Sequence, residues 1–140
     1  MPKRDKYHFQ VRVALEKDGW MITDDPLDLT SGEVELFADL GAARVLAAER
    51  GEEKIAVEIK SFLEEQSPVS EFHKASGQYD TYQFALEDKE PERRVYLAIP
   101  TFIWKTFFQR PLIQKIVHEK PLRIIVVDME KQTIESWIKQ

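Results

Sequence analysis

Residues 38–62 read ADLGAARVLAAERGEEKIAVEIKSF, and their pattern predicts much of the architecture of the chain. The second half, Lys54–Phe62, alternates in the manner of a β-strand, in which successive side chains point to opposite faces. One face carries Ala56, Glu58 and Lys60, whereas the other face carries Ile55, Val57 and Ile59. The sequence therefore predicts a strand that presents an acid and an amine at its end.

A second acid, Asp39, closes the preceding predicted strand, Val34–Asp39. If the two strands are neighbours in one sheet, Asp39 comes to lie beside Glu58 and Lys60. A structural ion pair at a strand edge is the simpler interpretation. It is disfavoured because charges buried on adjacent strands lose hydration and are costly to keep for stability alone. Clustered charges of this kind more often mark a functional site.

The remaining segments predict one α/β domain over residues 1–140, with a mixed central sheet flanked by helices. The first predicted helix packs on one side of the sheet and the second on the other. Residues 41–50 are interpreted as a short helix or an irregular connection. The other predicted elements are helices at Asp5–Asp18, Val69–Leu86, Thr101–Phe108 and Leu112–Glu119, and strands at Trp20–Thr23, Val95–Ile99, Leu122–Val127 and Thr133–Ile138.

Composition excludes several classes of protein. The chain has 140 residues and a net charge of −5, which argues against a protein that coats nucleic acid through phosphate neutralisation alone. No apolar run approaches the roughly 20 residues of a membrane span, and the N-terminus does not resemble a signal peptide. There are no cysteines, so any metal must be held by oxygen or imidazole ligands. We expect a cytoplasmic protein without a membrane contact, and whether it forms a homo-oligomer stays open.

The order of Asp39 and Glu58-x-Lys60 on successive strands resembles the PD-(D/E)xK superfamily of restriction endonucleases, junction resolvases and RecB-type nucleases. The resemblance implies a restriction-endonuclease-like αβββαβ core, with extra C-terminal helices and strands. It also implies that Asp39 and Glu58 hold Mg²⁺ or Mn²⁺ and that Lys60 orients the attacking water. Mg²⁺ prefers hard oxygen ligands, so two carboxylates and a phosphate suit it.

Two further features extend this resemblance. Gln78 and Tyr82 match the Q-x-x-x-Y motif of RecB-like nucleases, and residues one helical turn apart lie on the same face. By resemblance, Gln78 positions Lys60 or the scissile phosphate, and Tyr82 supports it. His8 falls near the place where junction resolvases of this fold carry a metal-site glutamate. Its role as a ligand is therefore an open expectation.

Longer runs of sequence resemble the XisH family. They include Lys17-Asp18-Gly19-Trp20, FADLGA followed by EKIAVEIKSF, and Tyr96-Leu97-Ala98-Ile99-Pro100. The family is described as a controlling factor for excision of the fdxN element in heterocyst-forming cyanobacteria. The resemblance implies DNA as a partner, together with an XisI-like companion protein and a site-specific recombinase.

The sequence is compatible with three functions. The chain is a metal-dependent endonuclease, a non-catalytic accessory that binds DNA or a recombinase, or one half of an obligate protein pair. The acidic charge balance favours the second and third, whereas the complete set of Asp39, Glu58, Lys60 and Gln78 favours the first and third. Glu35 and Glu49 are interpreted as acids without a role in the site, with accessory metal ligation as the alternative. The aromatic cluster at Phe102, Trp104, Phe107 and Phe108 is interpreted as core or a partner interface.

Overall fold

The computed structural model describes residues 4–46, 51–62 and 67–140. Glu49 lies outside these residues. The helices are α1 (His8–Lys17), α2 (Pro68–Lys89), α3 (Thr101–Lys105) and α4 (Pro111–Glu119), with a 3₁₀ turn at Phe107–Gln109. The strands are β1 (Met21–Asp24), β2 (Leu27–Asp28), β3 (Phe37–Ala38), β4 (Leu40–Val45), β5 (Glu52–Ile59), β6 (Arg94–Pro100), β7 (Ile124–Asp128) and β8 (Thr133–Ile138).

The central sheet is mixed, as the sequence predicts. Its strand order is β1-β4-β5-β6-β7-β8, and β2 and β3 form a small separate ribbon. The pairs β1/β4, β4/β5 and β7/β8 are antiparallel, while β5/β6 and β6/β7 are parallel. The α2 helix makes the crossover between β5 and β6, because parallel neighbours need a long connection.

Helices cover both faces of this sheet and produce two apolar layers. Ala56 of β5 faces the layer that contains Phe72 and Ala75 of α2. Its neighbours Ile55 and Val57 face the opposite layer, which is formed with α1. The alternation predicted for this strand is therefore confirmed. Phe107 and Phe108 also belong to the core, as predicted.

The second strand lies further along the chain than predicted. The strand β4 occupies part of residues 41–50, which were interpreted as a helix or an irregular connection, and that interpretation is wrong. Ala42 and Ala43 are buried in the sheet, so tertiary burial overrides the helical preference of alanine. Close packing fixes Gly41, because a Cβ there would lie 3.1 Å from Arg93 Nη1 and 3.1 Å from Asp24 Oδ2.

The segment predicted as the strand Val34–Asp39 forms a turn and a ribbon instead. Ser31 and Val34 make an isolated bridge, and only Phe37–Ala38 pairs with β2. Asp39 is a bend residue between β3 and β4, immediately before Leu40. It therefore precedes the strand that it was expected to close. Within the described residues, no helix combines the length and apolar character needed to cross a membrane.

Candidate active site with paired carboxylates

A cleft of about 390 Å³ opens where β5 ends and β4 begins, between the start of α1 and one face of α2. Five of the six residues selected from the sequence line it: Asp39, Glu58, Lys60, Gln78 and Tyr82. The structure thus brings together side chains from the β4/β5 pair and from the following helix.

Strand register brings the two acids together. Leu40 of β4 pairs with Val57 of β5 in antiparallel fashion, so the residue before Leu40 meets the residue after Val57. Asp39 Oδ2 accepts a hydrogen bond of 2.7 Å from the backbone N–H of Ile59. This bond fixes the orientation of the Asp39 carboxylate at the end of β5, beside Glu58.

Both carboxyl groups are difficult to ionise in this position. Burial, followed by the neighbouring charge of Asp39, raises the pKa of Glu58 to about 8. Burial also raises the pKa of Asp39, against the opposing effect of the Ile59 N–H bond. Glu58 is only 6% exposed, and its Oε1 has no hydrogen-bond partner among the described residues. The surrounding protein therefore offers little compensation for a second negative charge in this site.

Lys60 forms an ion pair with Glu58. Its Nζ lies 3.8 Å from Glu58 Oε2, and its side chain is largely enclosed. The backbone N–H of Lys60 donates to the carbonyl of Ala98 in β6, which holds the residue against the sheet after β5 ends. The amine is consequently directed into the same cleft as the carboxylates.

The α2 helix supplies the opposite wall. Tyr82 donates a hydrogen bond of 2.9 Å to the carbonyl of Phe37, just before Asp39. Burial raises the pKa of the Tyr82 phenol, and the charges of Glu58 and Asp39 raise it further. Gln78 Oε1 is buried and has no hydrogen-bond partner within the described parts of the chain. The Q-x-x-x-Y pair thus borders the acids, with one amide oxygen left without a partner.

His8 occupies a different position from these five residues. It is buried on α1, and its Nε2 lies 2.8 Å from Asp25 Oδ1. It lines a neighbouring cleft instead of the one that contains Asp39 and Glu58. Glu35 is exposed beside another groove, in agreement with its interpretation as an acid without a role in the site.

Sequence reasoning missed two acids that line the cleft. Asp5 accepts hydrogen bonds from the backbone N–H groups of Tyr7 (2.8 Å) and Ser61 (3.2 Å), so it ties the start of α1 to the segment after β5. Glu71 is buried in the first turn of α2, two turns before Gln78 and on the same face. An acid just before a helix and a spacing of two helical turns were the signals that could have identified them.

The donor set suits a hard divalent cation. Oxygen atoms of Asp39 and Glu58 converge, and the Oε1 atoms of Glu58 and Gln78 are buried without a protein partner among the described residues. These residues contain no group of three or more His, Asp or Glu side chains arranged to hold a metal. A cation here would therefore complete its coordination with water or substrate oxygens, as Mg²⁺ commonly does.

Comparisons with known proteins agree on one family. Residues 1–135 match the family model described as XisH protein. The crystal structure of an XisH family protein from Nostoc punctiforme PCC 73102 is 45% identical, with a TM-score of 0.87, and the match covers 96% of this chain and 100% of that one. The structure of an fdxN element excision controlling factor protein from Anabaena variabilis is 46% identical, with a TM-score of 0.88, and covers 97% and 100%. No curated protein matched the chain.

Proposed function

The chain belongs to the XisH family, and we propose that it controls excision of a DNA element as a metal-dependent endodeoxyribonuclease. The Anabaena variabilis relative, which is named as an excision controlling factor, supports the role in excision. The hydrolytic activity is supported by one observation above all. Two acids with raised pKa values converge beside a lysine, and one oxygen of Glu58 has no partner among the described residues.

The fold proposed for this activity is the restriction-endonuclease-like fold. The order α1, β1, β4, β5, α2, β6 follows the αβββαβ core, with the β2/β3 ribbon inserted before β4. Asp39 stands immediately before β4, Glu58 lies in β5 and Lys60 directly follows that strand, and this order supports the resemblance to a PD-(D/E)xK site. Fold alone does not determine function, so the proposal depends on the site.

In this proposal, Asp39 and Glu58 would hold Mg²⁺ or Mn²⁺, and Gln78 would offer its amide oxygen to the cation or to a bound water. When bound, the cation supplies Lewis-acid stabilisation of the phosphate and a more acidic water. Removal of charge repulsion between the carboxylates also lets both acids remain ionised at neutral pH.

Two protein side chains, Lys60 and Tyr82, have further roles in the proposed hydrolysis. Lys60 orients the water that adds to phosphorus and offsets negative charge on the phosphate oxygens. The bond from phosphorus to the leaving sugar oxygen breaks, the attacking water releases its proton to solvent, and the leaving sugar oxygen takes up a proton from solvent to become a hydroxyl. Tyr82 acts as a positioning residue, because its bond to Phe37 holds the chain that leads into Asp39.

The acidic charge balance favours a second candidate, a protein that binds without cutting. An acidic chain is a weak sequence-independent DNA binder, so partners would then bring it to DNA. We propose an XisI-like companion and a site-specific recombinase as those partners. A nuclease that becomes active only with its companion combines both candidates.

The test is Mg²⁺- or Mn²⁺-dependent cleavage of linear, circular and branched DNA, with and without the companion protein. Glu58→Ala and Lys60→Ala are measured beside the parent chain, with Glu87→Ala on the exposed side of α2 as a control. We expect cleavage that needs metal, disappears in both site variants and persists in the control. If no substrate is cut under any of these conditions while both site variants still bind DNA or the companion, the non-catalytic candidate is correct.

A further inference from the structure

A second cleft, of about 370 Å³, adjoins the carboxylate cleft along the first turns of α1. The two clefts share the residues Arg4, Asp5 and Lys6. Beyond these three, the second cleft continues past Arg12 and Asp25. A long ligand that leaves the carboxylate cleft in this direction therefore passes over the start of α1.

The charge of this region is opposite to that of the whole chain. Residues 4–17 contain four Lys and Arg against two Asp and Glu, whereas the full sequence contains 20 against 25. Three of these cations, Arg4, Lys6 and Arg12, line the second cleft and are called here the α1 shelf. Three cations of an acidic protein thus lie together beside its candidate active site.

Asp25 holds two members of the shelf in place. Its Oδ2 accepts a hydrogen bond of 2.6 Å from Arg12 Nη1, and its Oδ1 lies 3.4 Å from Arg4 Nη2. A guanidinium has five N–H donors, so each arginine keeps donors for a second anion. The Arg4 side chain is 61% exposed, which leaves those donors accessible.

Lys6 is the member shared by both clefts that has no anionic partner. It is exposed and forms no ion pair within the described parts of the chain. Arginine and lysine side chains are the usual ligands of backbone phosphates, arginine as a fork and lysine as a point charge.

We propose that the α1 shelf binds a backbone phosphate of DNA adjacent to the phosphate that enters the carboxylate cleft. This inference rests on the proposed function for the identity of the ligand. The shelf fixes the path of the strand across the site, because phosphates on both sides of Lys6 would be held at once. It also supplies affinity independent of base sequence, which the acidic remainder of the surface opposes.

The experiment measures fluorescence anisotropy of a labelled DNA duplex of random sequence at several salt concentrations. All proteins carry Glu58→Gln, so that binding is separated from hydrolysis. Arg4→Ala and Lys6→Ala are compared with Lys17→Ala, which removes the same charge at the other end of α1, outside both clefts. Arg12 is left unchanged, because its removal would leave Asp25 without its closest partner.

We expect each shelf variant to raise Kd about threefold to tenfold and to lower the salt slope by about 0.9, the effect of one lost phosphate contact. Lys17→Ala should leave both quantities near those of the parent. Equal DNA affinities for Lys6→Ala, Arg4→Ala and Lys17→Ala would contradict phosphate binding by the α1 shelf. A parent protein that binds no DNA at low salt would contradict it as well. If the shelf variants bind the companion protein more weakly but bind DNA as tightly as the parent, the surface is a site for a protein partner instead.

The two proposals fail separately. If shelf-dependent binding is found but the chain with intact Glu58 never cuts DNA, hydrolysis is rejected and the shelf stands. If the chain cuts DNA but all three charge variants bind equally, the shelf is rejected and hydrolysis stands.

Discussion

At the scale of single residues, Glu58 lies in surroundings that disfavour an ionised carboxylate. It is 6% exposed, and its pKa is raised to about 8, first by burial and then by Asp39. Its ion-pair partner, Lys60, is 3.8 Å away, beyond ordinary hydrogen-bond distance. An ionised carboxylate placed this way is unfavourable unless a cation joins it, and perturbed pKa values of this kind cluster at functional sites.

Glu58→Gln should therefore stabilise the protein when metal is removed with EDTA. Because the folded pKa lies above the ordinary value of 4.5, the favourable contribution of Glu58 is complete below pH 4.5 and is lost as pH rises towards 8. At pH 8 we expect a gain of at least about 1 kcal/mol, or roughly 3–5 °C in Tm. Thermal unfolding at pH 5 and pH 8 measures it.

The exposed Glu87→Gln provides the control, because it makes the same chemical change on the surface of α2. If Glu58→Gln and Glu87→Gln give the same Tm at every pH in this range, the pKa of Glu58 is not raised in the folded protein.

Tyr82→Phe should show whether the Tyr82 hydroxyl positions the segment that carries Asp39 as well as stabilising the fold. Loss of the bond to Phe37 costs about 1 kcal/mol of stability. It should also lower the cleavage rate, because the segment that carries Asp39 is less well held, with little change in DNA affinity. Tyr79→Phe is the matched variant, since the Tyr79 hydroxyl accepts a bond from the Arg123 N–H away from the cleft. The positioning role is disproved if both variants reduce cleavage equally.

At the scale of helices and strands, part of the site follows directly from local patterns. The β5 strand alternates between an apolar and a charged face, so the common orientation of Glu58 and Lys60 could be predicted. Helix α2 begins at Pro68 after Ser67, whose Oγ accepts a hydrogen bond from Ser70 N, and this is a signal that a sequence displays.

Other parts depend on contacts that no local pattern contains. Alanine-rich residues 41–45 form a strand because β1 and β5 pair on both sides of them. Asp5 reaches the site only because α1 packs against the end of β5, where it accepts the Ser61 N–H. His8, which by resemblance falls near a metal-site position, contacts Asp25 in the adjoining cleft, and nothing in the sequence indicates that contact.

Gly77 offers a test of α2 as an element. It lies in the middle of the helix sequence and on its solvent-exposed side. A Cβ there would meet nothing within 4 Å among the described residues. Gly77→Ala should stabilise the protein by about 0.5–1 kcal/mol, because alanine loses less backbone entropy in a helix. Urea unfolding measures the change.

Gly41→Ala is the contrasting variant, since its Cβ would press on Arg93 and Asp24. Arg93 is held by its bond to the Ile55 carbonyl and has little room to move. We expect Gly41→Ala to lose stability, and a gain similar to that of Gly77→Ala would contradict the packing described for β4.

At the scale of the whole molecule, the two ends of the chain pack on one face of the sheet. Trp137 of β8 stacks against Trp20, which follows α1, with ring centroids 5.6 Å apart. It also meets Tyr96 of β6 edge-on at 5.2 Å. The segment that follows α1 is thereby packed against the last strand.

Trp137→Ala should weaken the entire fold in one step. We expect a loss of about 2 kcal/mol, since the ring is only partly buried. Unfolding followed by far-UV circular dichroism and by the fluorescence of the remaining tryptophans should give coincident transitions. Two separate transitions would mean that the N-terminal helix and the sheet unfold independently.

Asp39 and Glu58 are proposed to hold a divalent cation together. The most direct measurement is calorimetric titration of Mn²⁺ into the chain at neutral pH, alongside Asp39→Asn, Glu58→Gln and the surface control Glu87→Gln. We predict saturable binding in the parent and the control that is lost in both site variants. Binding of equal strength in all four proteins, or binding in none, would contradict this proposal.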